Sequence, residues 1–378
     1  MTKRILLVAP TAPFDTSFGA AQRTTLMYRA LREFGEVEVV IAAQGAAFAA
    51  ADGERPEEVA RLTIREAPWY CKYQPDAETR KWAMQHLARR QYDLVVAREL
   101  STAGPFCEAI DAPLIADADD ANYHYAPSQA STSARMLATA KTRARRFFTR
   151  RALLRFRHVW FATPRDQRAF PRVTSTILPN VAPEVSALDC HVGAVPTILF
   201  VGALWYGPNV EAVDRFIRYC WPAINRCVPS ARLRIVGAGP VGRREAWSAN
   251  HGVECPGFVV DLESEYRAAA FTIAPIRYGG GTQIKTLESL AFGRTAVVSS
   301  FVATGYVDAF KPGESLVVAD AADETVARCI ALLKDPETAT RMALAGREVV
   351  MQRFGWQAFR AGVAKGLSQI DSQWQAAQ

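Results

Sequence analysis

The sequence lacks most of the patterns that announce a special chemistry or compartment. Its seven cysteines are scattered and include no C-x-x-C pair, which excludes a zinc ribbon or a disulfide scaffold and fits a reducing cytoplasm. The five histidines never form H-E-x-x-H, so a zinc protease is excluded. No G-x-x-x-x-G-K-[ST] occurs, which removes a Walker A nucleoside triphosphatase. The longest early apolar run, Ile5 to Ala9, stops at Pro10. It falls far short of the ~20 residues of a membrane span and lacks the small-residue cleavage site of a secretory signal. Short repeats and low-complexity tracts are absent too.

What is there is ordinary globular composition, 49% apolar and 22% charged, which argues against disorder and coiled coil alike. With 378 residues the chain exceeds the ~250–300 at which one core stops growing, so two domains are expected. The charge is unevenly placed: Ser133 to Arg172 holds twelve Lys and Arg against one acid, Asp166, while the rest of the chain is slightly acidic.

Periodicity predicts alternating strands and helices. A strand over Arg4–Ala9 leads through a turn-rich loop to a helix over Gln22–Phe34, and Val37–Ala42 reads as a second strand. Further strands follow at Asp93–Ala97, Leu114–Ala116 and Val159–Ala162, whereas Ala46–Arg65 resists assignment. Leu178 to Pro196, with three prolines and a glycine, reads as a linker. The pattern then restarts with strands over Thr197–Val201, Arg232–Val236, Phe271–Ala274 and Thr295–Ser299, and helices over Asn209–Cys220 and Lys285–Phe292. Continuous apolar strands alternating with helices predict two doubly wound parallel-sheet domains, Rossmann-like α/β units facing a cleft.

The segment richest in chemistry runs from Pro275 to Glu288, where a strand gives way to a helix. Gly279, Gly280 and Gly281 let backbone N–H groups approach a ligand closely, since no Cβ intervenes. The helix N-terminus favours phosphate oxygens, Lys285 adds a cation and Thr282 a hydroxyl. Glu288, one turn deeper on the same face, is suited to a ribose diol. The bland alternative is a flexible turn followed by a surface Lys285–Glu288 ion pair.

A second candidate is Asp117-Ala118-Asp119-Asp120-Ala121-Asn122-Tyr123-His124, just past a strand end, where parallel α/β folds bind ligands. Three clustered acids repel one another, so a raised carboxyl pKa and proton handling are expected. The alternative is an N-cap and turn. Gly19 and Arg23 form a weaker candidate at the first loop. Gly237 to Gly242 satisfies G-x-G-x-x-G with Glu254 further on, a weak dinucleotide signal for NAD or FAD because a strand–helix unit already precedes it.

On these residues the second half resembles the nucleotide-sugar-binding domain of retaining GT-B glycosyltransferases of the family-4-like group, glycosyl transferases group 1. The resemblance rests on Ile198–Gly202 with Pro208-Asn209, on Pro229–Gly239, on Gly257–Leu262 and above all on Pro275–Gly293. It extends weakly to the first domain and to Phe354-Gly355-Trp356. It implies an acceptor-binding domain over 1–180, a linker over 181–196 and a donor-binding domain over 197–355, with a C-terminal helix, 356–378, packing back on the first domain. It also implies retaining transfer from a nucleoside-diphosphate sugar to a hydroxyl acceptor, a sugar or lipid-linked glycan, in polysaccharide or glycoconjugate assembly.

By the same resemblance the donor is held by Gly202, Asn209, Gly257, Phe258, Val259, Tyr278, Gly279, Gly280, Gly281, Thr282, Gln283, Lys285 and Glu288. Glu288 matches the second glutamate of the E-x7-E motif, while the first is replaced by Gly280, as in a glycine-rich subgroup. Lys285 stabilises the leaving diphosphate, Asp119, Asp120 and His124 are the other catalytic candidates, and Gly19, Arg23, Asp117 and Asn122 lie on the acceptor side. No bound metal or cofactor is expected. The alternatives are a nucleotide-sugar epimerase of GT-B-like fold, or a binding protein that has lost turnover. The basic stretch 135–172 suits either a solvated helix face or contact with an anionic membrane at the inner face of the cell, and nothing supports nucleic-acid binding.

Overall fold

The computed structural model describes residues 2–13, 19–44, 58–73, 76–104, 106, 109–122, 132–185, 195–306 and 309–370. Among them lie two sheets, every pair of strands parallel. The first takes β1 (Lys3–Ala9), β2 (Gly35–Gln44), β3 (Glu58–Ile64), β4 (Leu94–Arg98), β5 (Leu114–Asp117), β6 (His158–Phe161) and β7 (Ser175–Ile177) in the order β3-β2-β1-β4-β5-β6-β7. The second takes β8 (Thr197–Val201), β9 (Arg232–Val236), β10 (Val253–Gly257), β11 (Phe271–Ala274), β12 (Ala296–Val298) and β13 (Val317–Val318) in the order β10-β9-β8-β11-β12-β13. Each order reverses beside the sheet's first strand, at β1/β4 and at β8/β11. These are the switch points where loops diverge and open a crevice.

The central strands β1 and β8 carry unbroken apolar runs because helices cover both faces of each sheet. Ile5 to Ala9 are wholly buried, as are Ile198 to Phe200. The unassigned stretch before Arg65 contains one such strand, β3. It is an edge strand whose Val59 and Leu62 are only partly buried against Leu6 and Val40, so its apolar signal is diluted. Residues 46–57, ahead of it, lie outside the described set.

Helix Trp356–Ser368 packs on the first sheet. Phe359, Val363 and Leu367 join its core with Leu7 and Trp160, and Gly366 lies so close to the Trp160 indole that a side chain there would collide. On the way back the chain crosses between domains, the Ala182 N–H donating to the Phe354 carbonyl.

Candidate functional site

The glycine run occupies the loop between β11 and helix Ile284–Ala291, at the carboxyl edge of the second sheet. Gly279 and Gly281 adopt φ of 117° and 66°, conformations in which an L side chain is strained, and this explains the need for glycine there. A Cβ on Gly279 would stand 3.0 Å from the Tyr206 hydroxyl.

Lys285 and Glu288 do not form the surface pair. Both are partly buried and each has its own partner. The Lys285 ammonium donates to Asn209 Oδ1 at 2.7 Å and sits 4.4 Å above the Phe200 ring, while the Tyr266 hydroxyl donates to Glu288 Oε2 at 2.7 Å. Asn209 is itself held by the Ala203 carbonyl at 2.9 Å. Burial lowers the Lys285 ammonium to about 7, opposed by the attraction of Glu288, and burial likewise raises the Glu288 carboxyl. Among the described residues no carboxylate lies within ion-pair distance of Lys285. Gly202 keeps the space beside it open, since a Cβ there would come within 2.8 Å of Nζ. Among the described residues the buried Thr282 hydroxyl has no hydrogen-bond partner. Together these groups place a desolvated cation and a hydroxyl beside a glycine-rich backbone loop, a combination chemically suited to an anion.

Further along the same edge, the Arg244 guanidinium lies against Gly257 and donates to the Pro256 carbonyl at 3.2 Å, with Phe258 strongly exposed beside it and Val259 next in the chain. Two of the three glycines of the G-x-G-x-x-G segment pack inward: a Cβ on Gly237 would run into the Gly202 carbonyl and one on Gly239 would come within 2.5 Å of Leu204 Cβ, whereas Gly242 meets nothing. Close packing of the β8 and β9 loops therefore accounts for the first two glycines.

The acidic cluster of the first domain is not what its sequence predicts. Asp117 is fully buried and takes a two-pronged ion pair from Arg23, at 2.6 and 2.8 Å, while Arg23 also donates to Asn180 Oδ1 and the Leu178 carbonyl. Neither residue is open to an acceptor, so both move from the ligand side to the frame. Asn122 is buried too, accepting from the Arg146 guanidinium at 3.1 Å, and is likewise withdrawn from the acceptor side.

Asp119 and Asp120 do reach a pocket, which they share with Lys72, Glu99 and Arg145. The expected rise in carboxyl pKa is reversed at Asp119. Burial pushes it up, but the Arg98 guanidinium, at 3.3 Å, together with Arg23 and Lys72 holds it below the usual carboxylate range. Lys72 pairs with Asp120 at 2.9 Å. Asp117 and Asp119 are thus each neutralised by arginines. His124 lies outside the described residues, and Gly19 opens helix Gly19–Leu31.

Two contacts join the halves into one cleft. A Cβ on Gly281 would stand 3.3 Å from the Asp119 carbonyl. From helix Pro164–Ala169, Arg165 donates to the Gly281 carbonyl at 3.1 Å and the Phe301 carbonyl at 3.2 Å, and stacks 4.5 Å over the Phe301 ring. Beside it, burial raises the Asp166 carboxyl to about 6, with Asp120 adding to the rise and Arg165 opposing it. Lys72, Arg98, Arg165, Arg244 and Tyr206 escape sequence reasoning because none sits in a recognisable motif. Their partners are brought close only by the fold.

Residues 195–335 match the family Glycosyl transferases group 1. The match spans the donor-side candidates from Gly202 to Glu288. No curated protein matches the chain. Among solved structures, sucrose-phosphate synthase from Thermosynechococcus elongatus is 17% identical at a TM-score of 0.70, with 98% of this chain and 99% of that one covered. HepE of Anabaena, crystallised with UDP and glucose, is 14% identical at a TM-score of 0.66, covering 97% of this chain and 100% of the other. TarM is 11% identical at a TM-score of 0.62, over 76% of this chain, which spans only 57% of TarM. The architecture is GT-B, two Rossmann-like parallel-sheet domains about a cleft.

Arg165→Ala removes both of its bonds to the second domain, one to the glycine loop at Gly281 and one to Phe301. Two charge-assisted hydrogen bonds are lost, so nucleotide affinity is expected to fall about tenfold, read by calorimetric titration, with little change in melting temperature. An unchanged affinity would show that the loop holds its shape without the latch.

Proposed function

We propose that this protein is a retaining glycosyltransferase, moving a sugar from a nucleoside-diphosphate sugar to a hydroxyl acceptor in polysaccharide or glycoconjugate assembly in the cytoplasm. The observation that carries this reading is Lys285. It is a desolvated ammonium that donates to an amide oxygen and lies against Gly202, at the start of the helix that follows the glycine loop. Such a group is stabilised by a ligand anion, and a diphosphate fits the span from Lys285 to Thr282 and the loop amides. Glu288, fixed by Tyr266, receives the ribose hydroxyls. Phe258 and the backbone at Gly257 and Val259 lie along the same edge for the base. Relatives support the donor class: HepE was crystallised with UDP and glucose, and a trehalose-6-phosphate enzyme of E. coli with UDP-2-fluoro glucose.

In the reaction the glycosidic bond to the diphosphate breaks as an oxocarbenium-like centre develops. Lys285, Thr282 and loop N–H groups stabilise the charge appearing on the leaving oxygen, which is commonly the largest catalytic contribution. The acceptor hydroxyl attacks from the same face, and its proton passes to the departing diphosphate oxygen. Asp119, kept ionised by Arg98, and Asp120, anchored by Lys72, orient the acceptor from the opposite wall.

A thermal-shift panel with UDP, GDP, dTDP, CMP, NAD and FAD tests the site. A ligand at ~100 times its dissociation constant stabilises by about 2.7 kcal/mol, which moves the melting point visibly. One nucleoside diphosphate is expected to shift the wild type, and Glu288→Ala to abolish most of the shift. Acceptor-dependent nucleotide release then separates a transferase from an epimerase or a binding protein. A response to NAD or FAD alone would overturn the reading.

A further inference from the structure

Helix Thr132–Leu153 carries seven Lys and Arg and no acid. Its Ala138, Arg145, Thr149 and Ala152 are buried against the first domain. The opposite face points outward and is not simply a solvated basic side. Met136 is 70% exposed, Leu137 57%, Phe147 56% and Leu154, just past the helix end, 52%. At steps of three and four along the helix, Met136, Ala140, Phe147, Arg151 and Leu154 fall on one side, with Lys141 and Arg143 flanking them.

The neighbouring loop extends this apolar surface. Trp69 is 53% exposed and lies under the Lys141 ammonium, and Tyr70 packs on Phe148 with ring centroids 4.8 Å apart. Exposed large apolar side chains therefore cluster among cations over a face roughly 30 Å long. Such a combination is costly in water and marks a binding surface.

We propose that this face, built from helix Thr132–Leu153 and Trp69-Tyr70, docks the protein on an anionic lipid bilayer surface. Charge decides the occupant. A second copy would set its own exposed cations against those already on this face, whereas anionic headgroups neutralise them while Met136, Leu137, Phe147 and the Trp69 ring enter the interfacial layer. The same elements reach the pocket of the acceptor wall. Lys72, two residues past Tyr70, pairs with Asp120, and Arg145 and Thr149 line the pocket from the inner face of the helix. Docking here sets that pocket beside the headgroups, so a lipid-linked acceptor is presented from the membrane. This last step rests on the transferase reading; the docking does not.

The test is co-sedimentation of the purified full chain with sucrose-loaded vesicles of phosphatidylcholine alone or with 30–40% phosphatidylglycerol (about one headgroup in three), at low and high salt. Binding is expected only with phosphatidylglycerol and is weakened by salt. Each cation removed lowers the partition coefficient roughly fivefold, so Arg143→Gln/Arg151→Gln binds about 25-fold more weakly. Met136→Ser/Phe147→Ser, at exposed positions, loses at least ~tenfold without lowering the melting temperature. Equal binding to both vesicle types, binding untouched by either double variant, or no binding at all would overturn the proposal. So would self-association of the wild type without lipid that the same variants abolish. Nucleotide binding, followed in parallel by thermal shift, is unchanged in both variants, so failure of docking and failure of the donor site are read separately.

Discussion

Lys285→Ala is expected to lower turnover at saturating donor by about 10²–10³-fold, the range found when a charge-stabilising group is removed from a leaving-group site. The reason is where the ammonium sits. It is desolvated, held by Asn209 and the Phe200 ring, and needs no reorganisation when charge appears on the diphosphate. Lys285→Arg is not expected to rescue the loss, because the space beside Gly202 is matched to an ammonium. Acceptor-dependent nucleotide release measures the effect, with Asp117→Ala assayed beside it at a temperature where both are folded. An equal or larger loss of turnover at Asp117 would overturn the assignment of Lys285.

The same group sets a pH dependence. Its pKa in the free protein is about 7, and a bound dianion raises it, so binding is coupled to proton uptake. Affinity for a nucleoside-diphosphate sugar, whose phosphates do not titrate near neutrality, should be flat well below pH 7. It should then fall by up to tenfold per pH unit above it, until the pKa of the complex is reached. Titration calorimetry in buffers of different ionisation enthalpy detects the proton taken up near neutral pH. Affinity that is level from pH 6 to 9 would contradict a functional role for this ammonium.

The largest effect on stability is expected from Asp117→Ala. Removing one partner of a buried ion pair typically costs about 3–5 kcal/mol, since the other charge is stranded. Here the Arg23 guanidinium, 2% exposed, loses its carboxylate, while Arg98 keeps Asp119 and Glu99. For a domain of this size each kcal/mol is worth ~2–4 °C, so the first-domain transition should drop by about 6–20 °C in calorimetry. The double variant Arg23→Met/Asp117→Leu should recover much of the loss, because an apolar pair removes both charges together and Arg98 keeps Asp119 and Glu99. A single variant as stable as wild type would show that Asp117 does not hold the frame, returning it to the list of acceptor-side candidates.

These expectations separate what local sequence carries from what it does not. Strands β8 and β11 follow their apolar runs, because a strand covered on both faces needs such a run and a loop ends it. The glycine loop was legible for an equally local reason: a backbone in positive φ next to a ligand site excludes Cβ, and only glycine lacks one. Lys285 and Glu288 were legible through helical spacing, although their partners, Asn209 and Tyr266, lie 76 and 22 residues away. Edge strand β3 escaped because one of its sides has no neighbour to demand apolar residues.

In the acidic cluster, chain proximity pointed the wrong way. Three neighbouring carboxylates read as mutual repulsion, yet each meets a cation from elsewhere: Arg23 for Asp117, Arg98 for Asp119 and Lys72 for Asp120. Charge is a through-space property, and its sign at a site depends on residues that only folding assembles. The sequence by itself determined the layered parallel architecture and the glycine loop at the start of its helix, because hydrophobic period and glycine geometry are local. Tertiary structure alone decided which acids are frame and which face the cleft, how Arg165 ties the two domains, and that the basic helix carries its apolar side chains outward.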